Sequence, residues 1–433
     1  MGLFLCIYLM RIPVRFRLVF MSFLAVFICY IDRVNISVAI IPMQEQFGWS
    51  DSQTGIIFSS FYMGYFFTMA IGGFLADRYG GKVVLGCGVL LWSLFTILTP
   101  VFSYNGLLAL IFIRVLMGLG EGITFPSWHS LYARWIPFNE RTRSVAITNS
   151  GISVGTIFGY AISAMIIASY SWEWVFYSFG LLGIIWFFFW NKGITSLPEN
   201  HPKIDEEELM LIKAEAPADT TAAKLPIKNL LTNLPFLAIA VSTFCNNWAL
   251  FTFLSYLPKF INSPVSMGGL GIDLDSSVFI LIILIPSIVS VLALITGGFM
   301  ADSLIKSGYK VIKVRKIVNT IGFFGAASCL FMIPIQESYI GIIGLLCATN
   351  AFSGIGAGGF GVNHADLGPK YTGSLVGISG SIGMLAAIVS PLIAGIILDV
   401  TGSWTLIFHI CTAVLVFGGI FYLFFASASE QFK

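Results

Sequence analysis

The segment GGFLADRYGGK occupies residues 72–82, and its first six residues return as GGFMAD at residues 297–302. Five of the six positions match, and both copies lead into a basic stretch, RYGGK after the first and SLIKSGYK after the second. Each copy closes an apolar run long enough to cross a bilayer core of ~30 Å. A motif repeated at the same place in two halves predicts a duplicated bundle of membrane helices, the halves running in parallel.

The composition agrees. The chain has 433 residues, of which 57 % are apolar and 10 % charged, with a mean hydropathy of +0.90. Soluble domains carry about 25 % charged residues, so ordinary globular patterning is excluded. The apolar runs are too long and too unalternated for a barrel, and a helix satisfies its own backbone in lipid. A net charge of +2 predicts no nucleic-acid partner. Seven cysteines lie scattered with no C-x-x-C pair, which reads as small core residues. RIPVRFR follows the apolar first ten residues without a small-residue cleavage site, so no cleaved signal peptide is expected.

Cutting at charges, prolines and turn clusters gives twelve spans, near 17–42, 55–76, 83–102, 106–131, 145–168, 174–191, 234–262, 277–301, 317–335, 339–362, 374–398 and 404–427. The expected fold class is an all-α polytopic membrane protein with two six-helix pseudo-repeats. Residues 1–196 form the N-terminal bundle, 197–233 a cytoplasmic linker and 234–433 the C-terminal bundle. Within the linker, IDEEELMLIKAE predicts a short amphipathic surface helix, read as solvated. Of 23 Lys and Arg, Arg33 and Arg114 fall within spans and Lys259 on the outer side; the rest occupy the N-terminus, alternate loops and the C-terminus. By the positive-inside rule both termini are cytoplasmic. The short termini point to a bacterial inner membrane in preference to a eukaryotic vesicle or lysosome.

The site candidates are the charges inside the membrane. Asp32 and Arg33 adjoin in FICYIDRVNISVAI (27–40), and Arg114 and Glu121 lie in RVLMGLGEGITFPSWHS. Each costs about 2.5–3.5 kcal/mol at mid-membrane unless paired or facing water. Asp32 and Arg33 point about 100° apart on one helix, whereas Arg114 and Glu121 are two turns apart on one face, about 10.5 Å along the axis. Gly118, Gly120 and Gly122 thin the helix beside Glu121. An arginine fork binds a carboxylate bidentately. Burial favours the neutral form of a carboxyl and a nearby arginine the charged form, so an anion competing for the arginine changes the proton affinity of the acid.

GGFLADRYGGK resembles the loop 2–3 signature of the major facilitator superfamily, with a layout covering essentially the whole chain. That resemblance makes Asp77 and Arg78 conformational switch residues. YIDRVNISVA together with RVLMGLGEGITFPSWHSLYARWIPFNER is similar to the anion:cation symporter family, with its sialin and vesicular glutamate branch and its bacterial sugar-acid:proton branch. The resemblance implies that Asp32 and Glu121 carry protons, that Arg33 contacts the substrate carboxylate with Arg114 in support, and that Tyr30 and Tyr65 line the same cavity. NWALFTFLSYLPKFI (247–261) and GFGVNHADLGPKYTGSLVGISGSIG (359–383) resemble the eukaryotic branch. They add Asn247, Asn363 and Asp366 as accessory candidates, the last two with His364 reading more simply as a helix-terminal hydrogen-bond cluster. His129 is a candidate relay or an end marker of span four. Phe58 and Asn246 stand where vesicular glutamate transporters carry a histidine and an arginine, which makes glutamate a weaker candidate. Ile152 and Gly380 stand where the bacterial carriers have polar contacts, a departure from the bacterial pattern for a cargo like galactonate.

The expected function is proton-coupled symport of small organic anions, carboxylates such as sugar acids or sialic-acid-like substrates, by alternating access in a lipid bilayer, the protein acting as a monomer with protons as coupling ion and no cofactor or metal. A sodium- or potential-driven carrier of phosphate or another inorganic anion is the alternative, and a non-transporting sensor a remote one. No nucleophile–base pair or H-E-x-x-H spacing points to an enzyme.

Overall fold

The computed structural model describes residues 13–214, 230 and 232–432. The apolar first ten residues and the linker stretch 215–229 lie outside the described residues. The chain is helical throughout: α1 (Val14–Phe47), α2 (Asp51–Tyr79), α3 (Gly81–Tyr104), α4 (Leu107–Glu121), α5 (Thr124–Trp135), α6 (Phe138–Ser169), α7 (Trp172–Gly193), α8 (Glu206–Ala214), α9 (Leu234–Asn262), α10 (Ser277–Lys306), α11 (Val311–Met332), α12 (Tyr339–Phe360), α13 (Asn363–Leu367), α14 (Thr372–Thr401) and α15 (Thr405–Phe425).

Among the described residues, with α4–α5 and α12–α13 each counted as one span, eleven spans are long and apolar enough to cross a membrane; α2, bent by 50° between Met69 and Ile71, brings the number to twelve. All twelve expected spans are found. Most helices run a few residues beyond the expected limits, because a helix keeps its hydrogen bonds past the point where its side chains turn polar.

The repeat is structural as well as sequential. The first glycine of each GGF lets two helices touch: a Cβ on Gly72 would stand 3.1 Å from Ile123 Cα, and one on Gly297 2.7 Å from Ile355 Cα. The second glycine of each, Gly73 or Gly298, meets nothing within 4 Å. The following turns match too, through left-handed glycines at Gly80 (φ +87°) and Gly308 (φ +89°), a conformation that costs glycine no Cβ clash. Both fourth spans are interrupted, at Gly122–Ile123 and at Gly361–Val362. MGLGEG (117–122) of α4 resembles SGIGAG (353–358) of α12 in sequence, with Ala357 in place of the acid.

The chain packs as two compact units, one drawn from Met1–Asn35, Met63–Gly159 and Glu173–Thr221, the other from Ile36–Tyr62, Tyr160–Trp172 and Ala222–Lys433. Duplication sets the order of the helices, whereas packing follows whichever helix ends touch. In the first unit the core runs from Val14, Leu18 and Val26 through Trp92, Trp128 and Trp190. The linker helix α8 belongs to this core through Ile212 and is not merely solvated. Glu208 accepts the first amides of α1, Val14 N and Arg15 N, each at 2.9 Å. Arg15 bridges Glu208 at 3.1 Å and Glu140, at the start of α6, at 2.8 Å. A carboxylate at a helix N-terminus satisfies orphan N–H groups and the helix dipole together.

Candidate functional site

Helix α1 is held in register by α6, whose segment GISVGTIFG (151–159) presents a glycine every fourth residue. A Cβ on Gly155 would lie 2.4 Å from Phe27 O and 3.0 Å from Tyr30 Cβ, and one on Gly159 2.5 Å from Val34 Cγ2. The 27/30/31/34 face of α1 is therefore pressed on α6. Residues 29, 32 and 33 are left to meet other helices.

Arg33 meets α4: its Nη2 stands 3.1 Å from Glu121 Oε2, with side-chain exposures of 3 % and 0 %. Its guanidinium also lies over two rings, 4.4 Å from the centre of Tyr30 and 4.8 Å from that of Tyr65 on α2. The sulfur of Cys29, one turn earlier, lies 3.1 Å from the same Glu121 Oε2 and 3.5 Å from Arg33 Nη2. Glycines permit this convergence. A Cβ on Gly122 would strike Tyr65 O at 2.6 Å, and one on Gly120 would stand 3.2 Å from Trp92 Cβ.

Asp32 lies about 100° around the helix from Arg33. It is fully buried, and neither carboxylate oxygen has a hydrogen-bond partner among the described residues. The Trp92 indole, Arg114 and Glu121 are the groups whose dipoles and charges act on it. Arg114 is 1 % exposed, with Met117 Sδ 3.8 Å from its Nη1.

The other candidates lie apart from this group. His129 is exposed beyond the break in span four, its Nδ1 2.8 Å from Phe125 O and its ring stacked on Trp128. α4 ends at Glu121, and His129 lies on α5. Asp77 accepts from Ser130 Oγ at 3.1 Å, and Arg78 lies over Tyr79. In the second unit Asn247 packs on Gly383. Asn363 Nδ2 donates to the Tyr422 hydroxyl at 2.9 Å, Arg315 Nε donates to Asp366 at 2.9 Å, and His364 Nε2 lies 2.7 Å from Ser379 Oγ.

Two features escape a reading of the sequence. Cys29 counts there as a small core residue, although its four-residue spacing from Arg33 places both on one helix face. The second is a polar latch within the second unit, at the end bearing residues 48–50. Asp399 accepts from Asp51 N at 2.7 Å, Ser52 N at 2.8 Å and Ser50 Oγ at 2.9 Å, capping α2. Lys259 pairs with Asp51 and donates to Gln44. Below it, Ser37 Oγ and the Tyr160 hydroxyl both donate to Leu254 O, at 3.0 and 2.6 Å.

Twelve apolar spans in a duplicated order, with a charge pair buried among them, define a multi-pass membrane protein. The Major Facilitator Superfamily profile matches residues 22–370, and the chain belongs to that family. Among curated proteins it is 36 % identical to the "Ascorbate transporter, chloroplastic" of Arabidopsis thaliana over 97 % of this chain and 76 % of that one. It is 36 % identical to "Sodium-dependent phosphate transport protein 1, chloroplastic" of the same plant, over 96 % and 80 %. It is 31 % identical to human "Sialin", over 96 % and 90 %, in keeping with the anion:cation symporter resemblance. In fold it is similar to an inward-facing bacterial homologue of the lysosomal transporter Spinster, with a TM-score of 0.78, 15 % identity and coverage of 95 % and 97 %. It is likewise similar to a D-xylose–proton symporter, with a TM-score of 0.74, 15 % identity and coverage of 96 % and 99 %. These relatives make the chain an integral membrane transporter and not an enzyme. Those named for chloroplasts lend no support to the expected bacterial inner membrane.

Proposed function

We propose that the chain is a proton-coupled symporter of small organic anions working by alternating access, with Arg33 as anion anchor and Asp32 and Glu121 as proton carriers. The carrying observation is the buried Arg33–Glu121 pair at 3.1 Å. A substrate carboxylate that takes the guanidinium fork removes the counter-charge from Glu121, and a buried carboxylate without one is costly until it binds a proton. Asp32, buried without a hydrogen-bond partner, adds a second place where a proton removes such a cost. Cation and acid are thus linked through one contact, so that anion and proton bind together.

One pH unit is worth 1.36 kcal/mol, so one proton per anion supports about tenfold accumulation per unit of gradient. Two protons with a monoanion would also draw about 2.3 kcal/mol per 100 mV from the membrane potential. Ascorbate is the first cargo to test, since a relative matching nearly the whole chain is named for it. The relative named for sodium-dependent phosphate transport supports a second reading, with sodium as driver and phosphate as cargo.

The test is uptake into proteoliposomes, with labelled ascorbate or phosphate, under a pH gradient without sodium and under a sodium gradient without a pH difference. The proposal expects uptake to follow the pH gradient. It also expects Glu121→Gln to abolish that accumulation while exchange of cargo across the membrane continues. Uptake that answers to sodium alone would remove the proton role.

A further inference from the structure

We propose that the Cys29 thiol is a positioning residue for Glu121: it is the donor that remains on the carboxyl when an anion takes Arg33. The inference rests on the reading of Glu121 as a proton carrier. It adds a residue that neither the sequence pattern nor the relatives assign.

Three atoms make a closed triangle: Cys29 Sγ to Glu121 Oε2 at 3.1 Å, Arg33 Nη2 to the same oxygen at 3.1 Å, and Arg33 Nη2 to Cys29 Sγ at 3.5 Å. Cys29 and Glu121 are fully buried, and the second carboxyl oxygen, Oε1, has no hydrogen-bond partner among the described residues. Among the described residues, the hydrogen bonds to the acid therefore fall on one oxygen, from two donors. The charged groups and phenols around it are Asp32, Tyr30 and Arg33 on α1, Tyr65 on α2 and Arg114 on its own helix.

An anion bound to the guanidinium weakens the bond from Arg33, and the thiol is then the one donor of the triangle still in place. Its chemistry suits that task. A thiol is a weak donor, able to hold the carboxyl in one orientation without matching the arginine's preference for the charged acid. The thiol keeps its own proton throughout. Glu121 gains its proton from solvent and gives it back on the other side, so no bond to sulfur forms or breaks.

Infrared difference spectroscopy on the purified protein in phosphatidylglycerol liposomes, titrated with pH in the absence and in the presence of ascorbate, reads both partners. The carboxylic C=O band of Glu121 is identified by its loss in Glu121→Gln, and the S–H band of Cys29 by its loss in Cys29→Ala. The S–H band is expected to shift as Glu121 takes up its proton. In Cys29→Ala the midpoint of the Glu121 band moves to higher pH by about half a unit, because a bond to the charged form is gone. Cys29→Ser, which restores a donor, returns it toward the parent value. An S–H band that ignores the state of Glu121, or equal midpoint shifts in the alanine and serine variants, overturns the proposal. Failure of the coupling reading shows separately, as pH-independent ascorbate uptake by the unaltered protein with the S–H response intact; the thiol contact then stands and its role in transport falls.

Discussion

Arg33 Nη2 stands 3.1 Å from Glu121 Oε2, the guanidinium on α1 and the carboxylate on α4, both sealed from solvent. Two helices far apart in sequence are joined by a pair that is costly to break from one side only. Removing one partner of a buried pair leaves an uncompensated charge, at about 3–5 kcal/mol, whereas removing both often restores stability. Arg33→Met should lower the unfolding temperature of the protein in detergent substantially. The double variant Arg33→Met/Glu121→Gln should recover most of that loss; a double variant no more stable than the single one would show that the pair is not the source of the cost.

The rings of Tyr30 and Tyr65 lie against the guanidinium, and lysine replaces neither its planar fork nor its stacking. Arg33→Lys keeps the charge, yet affinity for a carboxylate cargo should fall roughly tenfold to a hundredfold. Competition of unlabelled against labelled ascorbate in proteoliposomes measures this. Unchanged affinity would move the anion anchor away from Arg33.

Asp399 caps the first turn of α2, and Lys259 ties Asp51 to Gln44. Ser37, behind this latch, is 2 % exposed. With Ser37→Cys as reporter, an impermeant maleimide should label Asp399→Asn protein several-fold faster than the parent, and from one face of the liposome only. Equal rates would mean that the cap does not hold that end shut.

The repeated glycine pairs make opposite predictions at adjacent positions. Gly297→Ala puts a methyl group 2.7 Å from Ile355 Cα and should destabilise by about 1–3 kcal/mol. Gly298→Ala meets nothing and should be neutral or slightly stabilising, since alanine is the better helix former. Thermal unfolding of the two variants distinguishes them, and Gly72 and Gly73 should repeat the contrast.

Much of this arrangement is readable in the chain. The number and order of the spans follow from runs of apolar residues, because a lipid solvent leaves the backbone one open-ended way to satisfy itself. The charged residues of the site stand out because each is costly in that solvent. The angle of about 100° between Asp32 and Arg33 follows from helix geometry, and Arg33 reaches Tyr65 and Glu121. What the chain hides is contact between helices. The sequence puts Arg114 and Glu121 on one face of α4, but does not show that Glu121 reaches across to Arg33 on α1. His129 lies on the continuation of that span, but the break at Gly122–Ile123 sets it on a different segment.

The sequence by itself determined twelve helices, their duplicated order and the few positions where charge enters the membrane, because those depend on solvent and on spacing along one helix. Only the tertiary structure decided that Cys29 and Arg33 share one oxygen of Glu121, and that Asp399 caps a helix nearly three hundred and fifty residues away. Helical periodicity sets which residues share a face. Which face it meets depends on where small residues let backbones approach, as Gly155 and Gly159 do for α1.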